Sequence, residues 1–317
     1  MASRWGFALS SEEHRPSDLV RYAKRAEEIG FAFVGVSDHF HPWTNSQGQS
    51  PFVWAVLGAI AEATERIDVV TGVTCPTIRT HPAIIAQAAA TTAAMMPGRF
   101  SLGVGSGEAL NEHILGDRWP PADVRLEMLD EAIEVIRLLW QGGTQSHEGK
   151  HYRVEDARIY TLPDEPPPII VAASGEKAAQ VAARRGDGFM NTAPDAETIK
   201  AWEQAGGSGP KYGQITVCWA SDTDTAKQQA YAIWPNAAIT GQLSQDLPTP
   251  THFEQASEMV DEDAVAEKVV CGPDAGPYVE MIAKYRDAGY DHLYLHQVGP
   301  DQEGFFRFWQ DTLASRV

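Results

Sequence analysis

A chain of 317 residues, 43% hydrophobic and 21% charged, has ample material for a folded core, and its formal charge of −18 leaves no basic face for nucleic acid or an anionic membrane. Its apolar stretches are interrupted, as Ala83 to Met96 is by Gln87, Thr91 and Thr92, so none supplies the roughly 18 apolar residues of a membrane span. The start, Met1 to Leu9, lacks the charged, apolar and small-residue segments of a secretory signal, which makes the cytoplasm the expected location.

Short runs rich in Val, Ile and Phe recur along the chain, each followed by a longer segment with helical periodicity, and that alternation predicts βα units. In chain order the predicted strands are Trp5 to Leu9, Phe33 to Val36, Ile67 to Thr71, Phe100 to Val104, Ile169 to Ala172, Gly188 to Met190, Gln214 to Trp219 and Asp291 to His296. The predicted helices are Pro16 to Glu28, Pro51 to Thr64, Pro82 to Met95, Val124 to Trp140, Glu176 to Arg185, Asp274 to Ala288 and Gln302 to Ala314, several opening with proline or an acid as helix N-termini prefer. Such a series predicts an α/β fold, a (β/α)8 TIM barrel, as a single domain over residues 1–317.

The alternation fails twice. Residues 141–168 carry Gly142, Gly143, a predicted hairpin around Glu148 to Arg153 and the run Pro166-Pro167-Pro168, and read as a surface excursion. Residues 220–270 are helical and irregular, with Pro235, Pro248 and Pro250, and read as an insertion at the active-site end. The three cysteines, Cys75, Cys218 and Cys271, fit neither a disulfide framework nor a metal-binding CxxC and are expected to be reduced and mostly buried. Trp54, Trp140, Trp202, Trp219 and Trp234 are expected in the core or at an interface.

Barrel active sites form at the C-terminal ends of the strands. After the second strand, Ser37-Asp38-His39-Phe40-His41-Pro42-Trp43 concentrates a carboxylate, two imidazoles and an indole; elsewhere it would read as a capped surface loop. After the third, Thr71-Gly72-Val73-Thr74-Cys75-Pro76 is small enough to let a planar ligand meet the backbone. After the fourth comes Gly103-Val104-Gly105-Ser106-Gly107-Glu108-Ala109-Leu110-Asn111-Glu112, which is not a dinucleotide fingerprint, because Glu108 occupies the third glycine position of GxGxxG. After the fifth, Ala173-Ser174-Gly175 turns into a helix and would present backbone N–H groups to an anion, supplemented by Lys177, Arg184 and Arg185. His81, His292 and His296 have no partner at metal-ligand spacing, and no metal is expected.

Three of these stretches, Ser37 to Trp43, Pro76 to Thr91 and Gly103 to Glu112, resemble the F420-dependent branch of the luciferase-like oxidoreductases, in particular the F420-dependent glucose-6-phosphate dehydrogenases and secondary-alcohol dehydrogenases. The resemblance covers nearly the whole chain. It implies a cytoplasmic homodimer that binds coenzyme F420 and oxidises a hydroxyl-bearing carbon by hydride transfer. It also implies catalytic roles for His39 as proton acceptor, Trp43 as the wall of the reaction centre and Glu108 as a partner of the deazaflavin ring whose carboxyl is raised by burial. Cofactor contacts are implied at Asp38, at Gly72, Val73 and Thr74 in a bulge with a cis peptide, at Ser106, Gly107 and Asn111, and at Ala173, Ser174 and Gly175.

Sugar-phosphate members of that family hold the phosphate with two lysines and an arginine. Here Asn191 to Glu197 contains no base and two acids, Thr240 to Asp246 contains no lysine, and only Lys268 falls where the arginine would be. The expected substrate is therefore a non-phosphorylated sugar, a secondary alcohol or a hydroxylated natural product, bound near Lys268 and His296. Rival readings are an F420H2-dependent reductase, an FMN-dependent monooxygenase and a non-catalytic flavin-binding relative; the first is open because nothing in the sequence fixes direction.

Overall fold

The computed structural model describes residues 3–317. Eleven strands are present: β1 (Arg4–Leu9), β2 (Phe33–Val36), β3 (Asp68–Thr71), β4 (Phe100–Val104), β5 (Gln145–Glu148), β6 (Arg153–Ala157), β7 (Ile169–Ala172), β8 (Gly188–Asn191), β9 (Lys211–Cys218), β10 (Val270–Cys271) and β11 (His292–Gln297). The main sheet runs β10-β9-β11-β1-β2-β3-β4-β7-β8, and an additional β8–β9 pairing closes it into a barrel of eight parallel strands. All eight barrel strands coincide with predicted ones. β9 has β11 on one edge; on the other, Lys211–Gly213 pair with β8 and Val217–Cys218 with β10, so β10 takes over where β8 ends.

The barrel interior is packed by Phe33, Val70, Ile170, Met190, Tyr212 and Tyr294. Outside it, helices turn an apolar stripe inward. The helix Val53–Ala63 buries Val53, Val56, Leu57 and Ile60, each of which stabilises the fold by roughly 1.5–3 kcal/mol relative to exposure. Among the described residues, no helix is long and apolar enough to cross a membrane.

Two elements depart from the sequence reading. β9 begins at Lys211 rather than Gln214, because Gly213, which looks like a turn residue, lies against the rings of Tyr285 and Tyr290 with no room for a Cβ. The helix Ala196–Gln204 was hidden behind Pro194, although Asp195 caps it by accepting from the Thr198 amide at 3.0 Å. β5 and β6 form an antiparallel hairpin, and between β9 and β10 lie the helices Thr223–Ile233, Gln242–Asp246, Pro250–Ser257 and Glu262–Ala266. Cys75 and Cys218 are buried and Cys271 partly so; all three are free thiols. Trp202, Trp140 and Trp234 are buried, while Trp54 and Trp219 pack against the core.

Candidate active site

The end of β3 is shaped by its own side chain. The β3–β4 ladder stops at Val70 and Ser101, after which the Thr71 hydroxyl both donates to the Gly103 carbonyl at 2.8 Å and accepts from the Gly103 amide at 2.9 Å. Released from the ladder, the chain bulges through a cis Gly72–Val73 peptide and rejoins β4 where the Thr74 amide donates to Gly103 at 2.9 Å. A Cβ at Gly103 would lie on the Thr71 carbonyl, so this approach requires glycine.

Beside the bulge, Asp38 is 6% exposed and fully engaged: the Thr74 hydroxyl donates to it at 2.8 Å and the Arg79 guanidinium at 2.9 Å. Arg79 also donates its backbone N–H to Glu112 at 2.7 Å, and its Nε stands 3.5 Å from the other oxygen of that carboxylate. Burial opposes charge on Arg79, but Asp38 and Glu112 outweigh it and hold the guanidinium protonated. Burial pushes the Glu112 carboxyl up, and Arg79 offsets this only in part. The burial expected at Glu108 thus falls on Glu112; Glu108 itself is half-buried at the start of the short helix Ala109–Glu112.

Asn111, 2% exposed, joins the two motifs. Its Oδ1 accepts the amides of Phe40 at 2.8 Å and His41 at 3.1 Å, while its Nδ2 faces His39 Nδ1 at 3.1 Å and Glu108 Oε2 at 3.5 Å. With Oδ1 committed to two donors, the side chain donates toward His39 and Glu108. The ring of His39 lies 5.0 Å from that of Trp43, which meets Phe253 of the helix Pro250–Ser257 edge-on at 5.1 Å. The 220–270 segment therefore packs directly on the predicted wall residue.

Glu12, which the sequence reading missed, completes the group. Its Oε1 is 3.3 Å from His39 Nε2, and its Oε2 accepts from Ser37 at 2.6 Å and Ser10 at 3.0 Å. Burial alone would raise its carboxyl, but His39 and the Ser37 hydroxyl more than reverse this and hold it below the ordinary glutamate range. The strand-end rule applied to β1 would have found it, since Glu12 follows Leu9 closely.

The turn after β4 packs closely against the bulge after β3. Gly105 and Gly107 have no room for a side chain: a Cβ would lie 2.7 Å from Val73 Cγ2 and 2.5 Å from Cys75 Sγ, and Gly107 has φ +78°. Ser106 is half-buried beside them. At the turn after β7, the Ala173 amide donates to Met190 and the Gly175 amide to Thr198 Oγ1, so both are already satisfied. The backbone N–H groups left uncapped at that turn are instead the first amides of the helix Glu176–Arg185, with the exposed Ser174 and Lys177 beside them. Arg184 and Arg185 do not contribute, for they sit in the last turn and bind Asp130 and Glu134.

Of the residues predicted at the substrate end, Lys268 is exposed, with no ion-pair partner among the described residues. His296 is 3% exposed and has protein partners, Glu13 at 3.3 Å and the Trp234 ring edge-on at 4.6 Å, rather than an open face.

Residues 3–292 match the luciferase-like monooxygenase family. The chain is 36% identical to an F420-dependent glucose-6-phosphate dehydrogenase of Microbacterium testaceum, over 99% of this chain and 97% of that one, and 37% identical to its counterpart from Segniliparus rotundus, over 98% and 97%. Its fold superposes with a TM-score of 0.92 and 31% identity, over the whole of both chains, on an F420-dependent secondary alcohol dehydrogenase solved with an F420–acetone adduct. A family match over most of the chain and full-length relatives above 30% identity together place it: the chain belongs to the luciferase-like monooxygenase family, in its F420-dependent branch.

Proposed function

We propose that the protein is an F420-dependent dehydrogenase of a hydroxyl-bearing, non-phosphorylated substrate, with His39, Trp43 and Glu108 at the reaction centre. The observation that carries this is the buried Glu12–His39 pair, linked through Asn111 to Glu108. Bound F420 supplies the hydride acceptor. Every other requirement of alcohol oxidation falls to side chains of the chain itself.

The neutral His39 ring accepts from Asn111 Nδ2 at Nδ1 and donates from Nε2 to Glu12. Taking the hydroxyl proton at Nδ1 exchanges the Asn111 donor for the His41 carbonyl, 3.2 Å from that nitrogen, while Nε2–H keeps Glu12. Glu12, held as a carboxylate, favours the imidazolium that forms. Trp43, backed by Phe253, closes one side of the centre, and Glu108 is held by Asn111 where the resemblance puts the deazaflavin ring. Asp38, Gly72, Val73, Thr74, Ser106, Gly107 and Asn111 line the ring's place, with the turn Ala173–Gly175 beside the phosphate donors.

The substrate reading goes against the sugar phosphate named for the sequence relatives. Asp195 is a helix cap, and Ser244 bonds only the Gly241 carbonyl. The buried Arg125 is committed to the Pro120 carbonyl, to Gln245 at 2.7 Å and to the face of Trp119. Among the described residues of these segments a dianion would meet no cluster of free cations. We read the chain as a single barrel domain over residues 1–317, with excursions at 141–168 and 220–270, acting in the cytoplasm as a homodimer. The dimer is supported by the apolar outer faces of the helices Val53–Ala63 and Pro82–Met95, where Phe52, Ile84 and Met95 stand exposed.

Titrating the protein with F420 and with FMN, then following deazaflavin absorbance over a panel of secondary alcohols, neutral sugars and glucose 6-phosphate, tests the reading. F420 binding with turnover of neutral alcohols is the expected result. Tight FMN binding without a response to F420 overturns the cofactor, and efficient turnover of micromolar glucose 6-phosphate overturns the substrate class.

A further inference from the structure

Residues 75–81 lead from the bulge after β3 to the helix Pro82–Met95, and Arg79 among them turns inward, its side chain only 10% exposed. A guanidinium at that depth is unfavourable unless acceptors surround it. Two carboxylates do. Its Nη2 donates to Asp38 Oδ1 at 2.9 Å, its backbone N–H donates to Glu112 Oε2 at 2.7 Å, and its Nε stands 3.5 Å from Glu112 Oε1. One side chain thereby joins three adjacent strand ends: β2 through Asp38, β3 through its own segment, and β4 through the helix Ala109–Glu112. A planar fork serves both carboxylates at once, which a lysine ammonium does less well.

The hold on Asp38 is two-handed. Arg79 occupies one oxygen and the Thr74 hydroxyl the other, at 2.8 Å, so the plane of the carboxylate is fixed while each oxygen keeps a lone pair for a ligand. Thr74 supplies a neutral donor and Arg79 the charge. The segment that delivers Arg79 is anchored separately, from the 141–168 excursion. Tyr152, 6% exposed, donates its hydroxyl to the Thr77 carbonyl at 2.9 Å, and its ring meets that of His81 edge-on at 5.5 Å. The stiffness of the segment and the cation it carries therefore have different sources, and substitutions separate them.

We propose that Arg79 is a positioning residue for the cofactor: its guanidinium holds the Asp38 carboxylate in the orientation that meets the deazaflavin, so F420 affinity depends on a side chain outside the ring's lining. This rests on the reading of Asp38 as a cofactor contact. Arg79→Gln keeps a donor at the position but leaves two buried carboxylates without their cation. Arg79→Lys restores the charge without the fork. Tyr152→Phe loosens the segment at Thr77 and leaves the cation in place.

The test is an F420 titration of the wild type and these three variants, followed by tryptophan quenching, with a urea midpoint for each. Arg79→Gln is expected to weaken F420 binding about ten- to a hundredfold, and Arg79→Lys about three- to tenfold. Tyr152→Phe is expected to lower the urea midpoint and to bind F420 within about twofold of the wild type. Wild-type affinity in Arg79→Gln overturns the proposal, as does an equal loss in Arg79→Gln and Arg79→Lys, since the charge would then not be what acts. A loss in Tyr152→Phe as large as in Arg79→Gln also overturns it, because stiffness of the segment would explain both. Should Arg79→Gln not fold, Arg79→Lys decides against Tyr152→Phe: an intermediate loss in the first alone supports the proposal, and wild-type affinity in Arg79→Lys overturns it. A wild type that does not bind F420 refutes the cofactor reading itself, whereas a wild type that binds it no better than the Arg79 variants refutes the positioning role alone.

Discussion

Glu12 and His39, separated by a strand and a helix in the sequence, stand 3.3 Å apart in the barrel mouth, with the second oxygen of Glu12 fixed by the hydroxyls of Ser10 and Ser37. The carboxylate therefore cannot turn away from the ring. Glu12→Gln keeps the size of the side chain but removes the charge that favours the imidazolium. It is expected to lower kcat about a hundredfold with little change in KM, as loss of a group that acts mainly in the transition state does. Steady-state kinetics beside a thermal melt check this. A rise in KM at constant kcat would reassign Glu12 to substrate binding.

Asn111 supports that pair from the other side. Asn111→Ala leaves the Phe40 and His41 amides without their acceptor and frees the His39 ring and the Glu108 carboxylate that its Nδ2 faces. The lost bonds correspond to about 2 kcal/mol, read as a shift of the urea midpoint. Asn111→Asp preserves the acceptor and recovers most of that stability. It does not recover activity, because a carboxylate cannot donate to His39 Nδ1 and adds a charge beside Glu108.

How much of this was legible beforehand follows from where the partners lie in the chain. Asp38, His39 and Trp43 occur together after one strand, and Glu108 and Asn111 together after another, so position and composition were enough to select them. Arg79 gave no such signal, and Glu12 gave only its place after β1. Arg79 matters because it joins Asp38 to Glu112, and Glu12 matters through an imidazole on the next strand, which are relations of barrel closure and not of local sequence. The same limit hid the contact of Phe253 with Trp43 and led to Arg184 and Arg185 being counted as anion donors, although helix geometry carries them to the wrong end. Ser10 to Glu13 does satisfy the strand-end rule, so the position of Glu12 just after β1 was a signal the sequence reading did not use.

Acid sensitivity has a identifiable contributor in Glu27. Its Oε2 accepts the amides of Glu65, Arg66 and Ile67, at 3.0, 2.6 and 2.8 Å, and ties the loop before β3 to the first helix. Burial opposes its ionisation, but these amides prevail and lower its carboxyl below the ordinary value of 4.5. A carboxyl that is lower in the folded than in the unfolded state contributes stability that is present above the unfolded value and lost as pH falls through the folded one. The difference in Tm between wild type and Glu27→Gln is therefore expected to be full at pH 7 and to shrink progressively below about 4.5. A constant difference from pH 7 to pH 3 would show that the charge is not what the amides hold.

Gly107 combines two constraints that a double-mutant cycle separates. Its φ of +78° lies in the left-handed region, where a Cβ costs roughly 1–2 kcal/mol, and that Cβ would also stand 2.5 Å from Cys75 Sγ. Gly107→Ala is expected to destabilise by about 2–3 kcal/mol in the wild-type background. In a Cys75→Ala background the thiol is gone, and the same substitution is expected to cost only the backbone share, about 1–2 kcal/mol. Urea denaturation of the four proteins measures both arms. Because Gly107 is among the residues proposed to line the ring, the titration with F420 adds a second reading: Cys75→Ala alone should bind with wild-type affinity, and Gly107→Ala should bind weakly in either background, since relief of the thiol contact leaves the backbone strain at φ +78° in place. Recovery of binding in the double variant would mean that the glycine serves packing against Cys75 and not access of the cofactor.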